Sequence, residues 1–96
     1  MAFYMYKVYL LKSLKDNKYY IGQTDNLERR FGEHNSGKSK STKNRRPFIL
    51  IGYENYSTRN EARYREYRIK NSIEKQEFIK EMLKQYAKET AKKNNT

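Results

Sequence analysis

Two tyrosines, an arginine, a histidine and a glutamate are the side chains of this sequence whose types and spacing could support a reaction. Glu66 falls on the apolar stripe of a predicted helix, where a carboxylate is costly unless it pairs with a cation or binds a metal ion. Arg30 and His34 are four residues apart, so they lie one above the other on another predicted helix. Tyr9 and Tyr20 belong to two predicted strands.

Each of these residues also has a structural explanation. Glu66 could form a salt bridge with one of the many arginines, and His34 could be a half-buried residue on a helix flank. The tyrosines could be core aromatics, because the chain has 10 tyrosines to place. Gly22 either ends an edge strand at a bulge or lets a backbone or a ligand come close to Tyr20.

The charge balance points to an anionic partner. The chain has 22 Lys and Arg against 11 Asp and Glu, a formal net charge of +11. Such an excess contributes nothing to the fold but neutralises phosphates and releases counterions, so nucleic acid is the first candidate partner. Structural RNA, an anionic membrane surface and simple solubility stay open as explanations. The chain has no cysteine, which excludes disulfides and thiolate metal sites.

The pattern of the first half predicts a β-hairpin. The segment 3–11 is apolar or aromatic on both faces, which is typical of a central strand covered on two sides. Asp16 and Asn17 give a turn signal before a second strand at 18–23, and a third strand is predicted at 48–54. Whether Tyr9 and Tyr20 share a face depends on a register that the sequence leaves open.

Three helices are expected around these strands. The first has Asp25 as N-cap and Gly37 just past its end, and the second begins with a capping box of Thr58 and Glu61. The apolar stripe of the second helix contains Ala62, Glu66, Ile69 and Ile73. A last amphipathic helix follows, marked by Ile79, Met82, Leu83 and Tyr86.

The remaining segments complete a single α+β domain over 1–96, in which a small three-stranded antiparallel sheet is flanked by helices. Residues 36–46 carry five positive charges and no acid, which predicts a flexible basic loop. The core is expected at about 3–86, and the polar end at 87–96 is expected to fray.

No apolar run approaches the roughly 20 residues that cross a bilayer. We therefore expect a soluble cytoplasmic protein, with association to the nucleoid as a further option, and no membrane partner.

Four motifs in order give the chain a family resemblance. Lys7-Val8-Tyr9 precedes Tyr20-Ile21-Gly22 by eleven residues, as in the paired signature of the GIY-YIG nucleases in its relaxed form. The segment TDNLERRFGEHNSGK resembles the family's T-x-x-L-x-x-R-x-x-x-H helix, and EARYREYRIK resembles its A-x-x-x-E-x-x-I-K helix. The resemblance covers roughly residues 4–83. It is closest to small stand-alone bacterial members and to the domain of excision-repair and intron-encoded endonucleases.

The resemblance implies a divalent-metal-dependent DNA endonuclease. Glu66 would be the sole protein ligand of one Mg²⁺ or Mn²⁺ ion, and Arg30 would contact the scissile phosphate. Tyr9 would orient or deprotonate the attacking water, and Tyr20 would hydrogen-bond the phosphate or that water. His34 would position Tyr9, share in proton transfer or cap the site. Gly22 would leave room for the substrate backbone, and a further polar residue of the family could be matched here by Asn71.

The resemblance leaves the substrate and the assembly open. Plain, branched or damaged DNA, as in DNA repair, and RNA all present the same bond, and the protein could act as a monomer or a weak homodimer. The alternatives are a non-catalytic DNA- or RNA-binding module and a structural basic protein; Glu66 favours the enzyme, because pure binding has no use for an acid beside phosphates. The basic loop would bind flanking phosphates through Lys38, Lys40, Lys43, Arg45 and Arg46.

Overall fold

The computed structural model describes residues 6–94 and has the predicted α+β architecture. The predicted first strand began at residue 3, and residues 3–5 lie outside the described part of the chain. The elements are β1 (Tyr6–Ser13), β2 (Tyr19–Thr24), α1 (Leu27–Ser36), a 3-10 turn (Lys43–Arg45), β3 (Phe48–Tyr56), α2 (Arg59–Lys70) and α3 (Glu74–Asn94).

The three strands form one antiparallel sheet in the order β2-β1-β3. The apolar residues on both faces of β1 are explained by this central position, as predicted. Tyr9 pairs with Gly22 and Leu11 pairs with Tyr20. Because side chains alternate along a strand, this register puts Tyr9 and Tyr20 on the same face.

The two faces of the sheet bury different clusters. On one face, residues of β1 such as Val8 and Leu10 pack against Ile69 of α2 and Phe78 of α3. On the other face, a smaller cluster of Tyr9, Leu11 and Phe48 is covered in part by Leu27 and Phe31 of α1. Tyr19 and Tyr20 are partly buried on opposite faces, Tyr19 against the first cluster and Tyr20 against the second.

Two of the predicted helix signals need correction. The N-cap of α1 is Asn26, whose side-chain oxygen accepts from the Arg29 N–H at 3.0 Å, and not Asp25, which forms ion pairs with Arg29 and Arg59. Ile73 does not extend the apolar stripe of α2, because the helix ends at Lys70 and Ile73 lies 88% exposed in the following turn.

The other predicted helix ends are confirmed. Gly37 ends α1 in the left-handed conformation with φ 86°, which glycine adopts without steric cost. Thr58 and Glu61 form the capping box of α2.

Residues 36–46 are anchored more firmly than the prediction of a flexible loop implied. Ser39 and Thr42 are buried, and Arg45 holds Asp16 of the β1–β2 turn at 2.8 Å. The end of the chain, expected to fray over 87–96, is helical as far as Asn94. Residues 95–96 lie outside the described part of the chain. None of the helices in residues 6–94 is long and apolar enough to cross a bilayer.

Candidate active site

A buried hydrogen-bonded chain of three side chains forms the centre of the site. The Tyr9 hydroxyl lies 2.9 Å from Nε2 of His34, and Nδ1 of His34 lies 2.8 Å from Oγ1 of Thr42. Tyr9 is 1% exposed, and His34 and Thr42 are fully buried. The chain therefore joins the central strand, α1 and the basic loop through the two nitrogens of one imidazole.

The helix that carries His34 is fixed to the sheet by its next residue. The Asn35 side-chain amide donates to the Phe48 carbonyl at 3.1 Å, and the Phe48 N–H donates to the Asn35 side-chain oxygen at 2.6 Å. The Phe48 ring meets the His34 ring edge-on at a centroid distance of 5.9 Å. These contacts hold the imidazole in one orientation against β1.

Burial keeps the imidazole neutral. Removal from water, assisted by the nearby positive charge of Arg30, lowers the pKa of His34 from 6.5 to about 4. A neutral imidazole has one N–H and one lone pair, so it donates to one of its two hydroxyl partners and accepts from the other.

The surroundings of Tyr9 have opposing effects on the pKa of its hydroxyl. Burial, and after it the adjacent Tyr20, raise the pKa of Tyr9 above its usual value, although Arg30 lowers it by charge and by a hydrogen bond. The Tyr20 ring lies 6.3 Å from the Tyr9 ring and 4.9 Å from the His34 ring. Tyr9 is therefore a neutral phenol in this structure, because Arg30 only partly offsets burial.

Arg30 is half-buried and already has partners on its own helix and on the basic loop. Its guanidinium donates to Glu33 Oε1 at 3.0 Å and to Ser39 Oγ at 3.3 Å. The prediction that Arg30 and His34 share one face of α1 is confirmed, because both approach the Tyr9 hydroxyl.

Gly22 has a different role from the one expected. A Cβ atom at this position would lie 2.5 Å from the Tyr9 hydroxyl oxygen and 3.1 Å from the Tyr20 ring. Because the Tyr9 side chain already fills this space, the expectation that Gly22 leaves room there for a substrate backbone is wrong. The glycine is what allows Tyr9 to reach His34 across the face of β2.

Glu66 lies near the same centre and has a cation beside it. Its carboxylate contributes to the electrostatic environment of the Tyr9 hydroxyl, and its Oε2 lies 3.1 Å from Nζ of Lys70. The side chain is 23% exposed, so the predicted core-facing carboxylate is half-buried and ion-paired. The salt bridge that was the structural explanation is thus present, with a lysine as the partner.

The donor set at Glu66 fits a hydrated hard cation with few protein ligands. Residues 6–94 contain no group of three or more His, Cys, Asp or Glu that could enclose a metal ion. One accessible carboxylate is nevertheless compatible with Mg²⁺, which keeps most of its waters and is often bound through one or two carboxylates.

The basic residues of the loop divide into two groups. The Arg45 guanidinium donates hydrogen bonds to the Asp16 carboxylate and to the Tyr19 carbonyl. The Arg46 guanidinium packs over Gly37. These two arginines therefore have structural partners. The other three basic residues are exposed and make no ion pair within the described chain: Lys38, Lys40 and Lys43.

Asn71 does not join the site. It is the C-cap of α2, where its backbone N–H and its side-chain amide both donate to the Tyr67 carbonyl. The sequence did not single out Ser39, Thr42, Asn35 or Lys70, which support the site in the structure. Ser39 and Thr42 are small hydroxyls in a loop, where no periodic signal could have found them. Lys70 could have been found, because it follows Glu66 by four residues on α2.

Comparisons with known proteins find a matching family model and similar sequences. A family model described as the GIY-YIG catalytic domain matches residues 5–80. The UPF0213 protein SH2523 of Staphylococcus haemolyticus is 46% identical over 72 residues, which cover 74% of this chain and 87% of that protein. The UPF0213 protein YazA of Bacillus subtilis is 44% identical over 66 residues, which cover 68% of this chain and 67% of YazA.

A solved structure is also similar. The solution NMR structure of the UPF0213 protein BH0048 from Bacillus halodurans has 35% sequence identity and a TM-score of 0.49. The match covers 81% of this chain and 84% of that one.

The buried imidazole gives a prediction for acid stability. His34 is the only histidine of the chain, so its NMR titration is unambiguous, and we expect a midpoint at about 4. Because the unfolded chain takes up this proton near pH 6.5 and the folded chain does not, the free energy of unfolding should fall as the pH is lowered. Between pH 7 and 5 we expect a loss of about 1 to 2 kcal/mol in urea unfolding. A midpoint near 6.5 with constant stability over this range would contradict the buried network.

Proposed function

The chain belongs to the GIY-YIG family of nuclease domains, and on that premise we propose that it is a divalent-metal-dependent endonuclease that hydrolyses phosphodiester bonds in DNA. The observation that carries the proposal is the convergence of four side chains on one hydroxyl. His34 bonds the Tyr9 hydroxyl, and Tyr20, Arg30 and Glu66 all contribute to its electrostatic environment. These four side chains come from three elements, α1, β2 and α2, and they converge on a hydroxyl of the central strand β1.

Arg30 is proposed to bind the scissile phosphate. Its planar fork suits phosphate oxygens, and positive charge there would stabilise the negative charge that develops in the transition state. In the present structure it is held by Glu33 and Ser39. Tyr9 is 1% exposed, so substrate has to draw neighbouring half-buried side chains such as Arg30 outward before water can reach the hydroxyl.

Tyr9 and His34 are proposed to move the proton of the attacking water together. The neutral Tyr9 hydroxyl donates to the unprotonated Nε2 of His34 while its oxygen accepts a proton from water. The water oxygen bonds to phosphorus as the bond from phosphorus to the leaving oxygen breaks, and the leaving oxygen takes a proton from solvent. This relay avoids a free phenolate, which the raised pKa of Tyr9 disfavours.

The remaining roles are assigned by position. Tyr20, beside His34, would hydrogen-bond the phosphate or the water, and Gly22 would keep the space that Tyr9 needs. Glu66 would hold one Mg²⁺ or Mn²⁺ ion, which supplies Lewis-acid stabilisation of phosphate oxygens when bound. We propose DNA in the cytoplasm as the substrate, cut by a monomer or a weak homodimer.

A substitution at Glu66 tests the proposed activity. We expect Glu66→Gln to abolish Mg²⁺-dependent cleavage of labelled linear, nicked, flapped and four-way DNA. DNA affinity should be equal or higher, because a negative charge leaves a phosphate-binding surface. Glu81→Gln, an exposed change on α3, is the matched control and should cut like the wild type.

Two outcomes would contradict the assignment. Cleavage by Glu66→Gln at a rate near that of the wild type would remove Glu66 from the mechanism. Binding of DNA without cleavage of any substrate by the wild-type protein, in Mg²⁺ or Mn²⁺, would favour the non-catalytic binding module.

The exposed lysines of the basic loop are proposed to bind phosphates that flank the cut. Replacing Lys38, Lys40 and Lys43 with glutamine should weaken duplex binding and reduce the slope of log K against log salt by roughly two to three, about 0.9 for each phosphate that is no longer neutralised. Turnover at saturating DNA should stay near the wild-type value, because these lysines have no part in the chemical step. The control replaces three exposed lysines on α3: Lys80, Lys84 and Lys88. An equal effect in both triple variants would show that the loop has no special role.

A further inference from the structure

The ion pair at Glu66 differs in kind from neighbouring pairs. Glu54 is held by two nitrogens of Arg65, at 2.9 and 3.2 Å, and Glu74 is shared by Arg65 and Arg68. Arginine holds a carboxylate with a rigid fork, whereas lysine is a mobile point charge on a flexible stem. Glu66 is held by a single lysine contact of 3.1 Å, which is easier to replace.

The partner lysine sits at the border of the site. Lys70 is the last residue of α2, and its side chain is 43% exposed. Its Nζ lies 5.4 Å from the centroid of the Tyr20 ring. A cleft of about 240 Å³ beside it is lined by Tyr19, Tyr20, Ile21, Lys70 and Lys75. The ammonium can therefore leave the carboxylate and remain solvated next to Tyr20.

A divalent ion and this ammonium are incompatible on one carboxylate oxygen. Both are attracted by the same negative charge, and at contact distances they repel each other, since their energy scales with the product of their charges. Without any cation, the half-buried Glu66 would be an uncompensated charge. A monovalent cation that can be displaced compensates the charge of Glu66 in the absence of a metal ion and leaves the carboxylate when a metal ion binds.

We propose that Lys70 holds the cation position at Glu66 until a divalent metal ion replaces it. Lys70 is thus a positioning residue that keeps the carboxylate oriented and compensated in the metal-free protein. The inference rests on the metal site of the proposed function and adds the group with which the metal competes.

The test measures metal binding without nucleic acid. Mn²⁺ is titrated into ¹⁵N-labelled protein at fixed ionic strength, and its occupancy is read from paramagnetic broadening of amide signals around Glu66. We expect Lys70→Met to bind Mn²⁺ about two- to fivefold more tightly than the wild type, the range that corresponds to loss of one exposed ion pair. Lys70→Gln should behave in the same way and guards against a folding effect of methionine.

Two controls separate competition from other causes. Lys75→Met removes a charge from the same cleft and should change the affinity much less, because Lys75 forms no ion pair with Glu66 among the described residues. Glu66→Gln should abolish the broadening in both the wild-type and the Lys70→Met backgrounds.

Each result has a distinct meaning. Unchanged or weaker Mn²⁺ binding in Lys70→Met, with binding still dependent on Glu66, would overturn the competition and leave the proposed metal site intact. An equal gain in Lys75→Met would show a general charge effect and would also overturn it. Broadening that does not depend on Glu66 would overturn the metal site itself and this inference with it.

Discussion

The hydrogen bond between the Tyr9 hydroxyl and Nε2 of His34, 2.9 Å long and shielded from water, is the interaction on which the rest of this structure depends. It joins the central strand to α1 and, through Thr42, to the basic loop. A buried hydroxyl and a buried imidazole are costly when unpaired, so each fixes the position of the other. The absence of a side chain at Gly22 follows from the same constraint, because Tyr9 occupies that space.

The charges are arranged around this uncharged centre. Arg30 and Glu66 approach it, and each is compensated within its own helix, by Glu33 and by Lys70. Both compensating pairs are partly exposed, where an ion pair contributes little to stability and is readily exchanged. In the proposed function, a phosphate would take the place of Glu33 on Arg30, and a metal ion would take the place of Lys70 on Glu66. In this structure, the carboxylate of Glu33 and the ammonium of Lys70 occupy the positions that are proposed for the phosphate and the metal ion.

Much of the fold could be predicted from local patterns. The double-faced pattern of β1, the capping box at Thr58 and the glycine at 37 each encode a local backbone preference, and the structure has them as predicted. The register of Tyr9 and Tyr20 could not be read, because a shift of one residue reverses the faces without changing the local pattern. Ile73 was misplaced because a periodic pattern does not show where a helix stops.

The site was harder to predict than the fold. The residue types at Tyr9, Tyr20, Arg30, His34 and Glu66 stand out, and they do come together. Their supporting contacts depend on loop residues such as Thr42, which reaches His34 only because the loop folds back over α1. A glycine at position 22 could leave space for a ligand or for a neighbouring side chain, and only the tertiary structure distinguishes the two. In this structure the space is filled by the side chain of Tyr9.

The most direct test of the central claim is single-turnover DNA cleavage by Tyr9→Phe, measured with Mg²⁺ at saturating protein. This change removes one oxygen atom and keeps the ring that fills the space over Gly22. If Tyr9 relays the proton of the attacking water to His34, the rate should fall by about a hundredfold or more while DNA affinity is retained. A cleavage rate close to that of the wild type would contradict the account and would leave Tyr9 as a core residue that only orients His34.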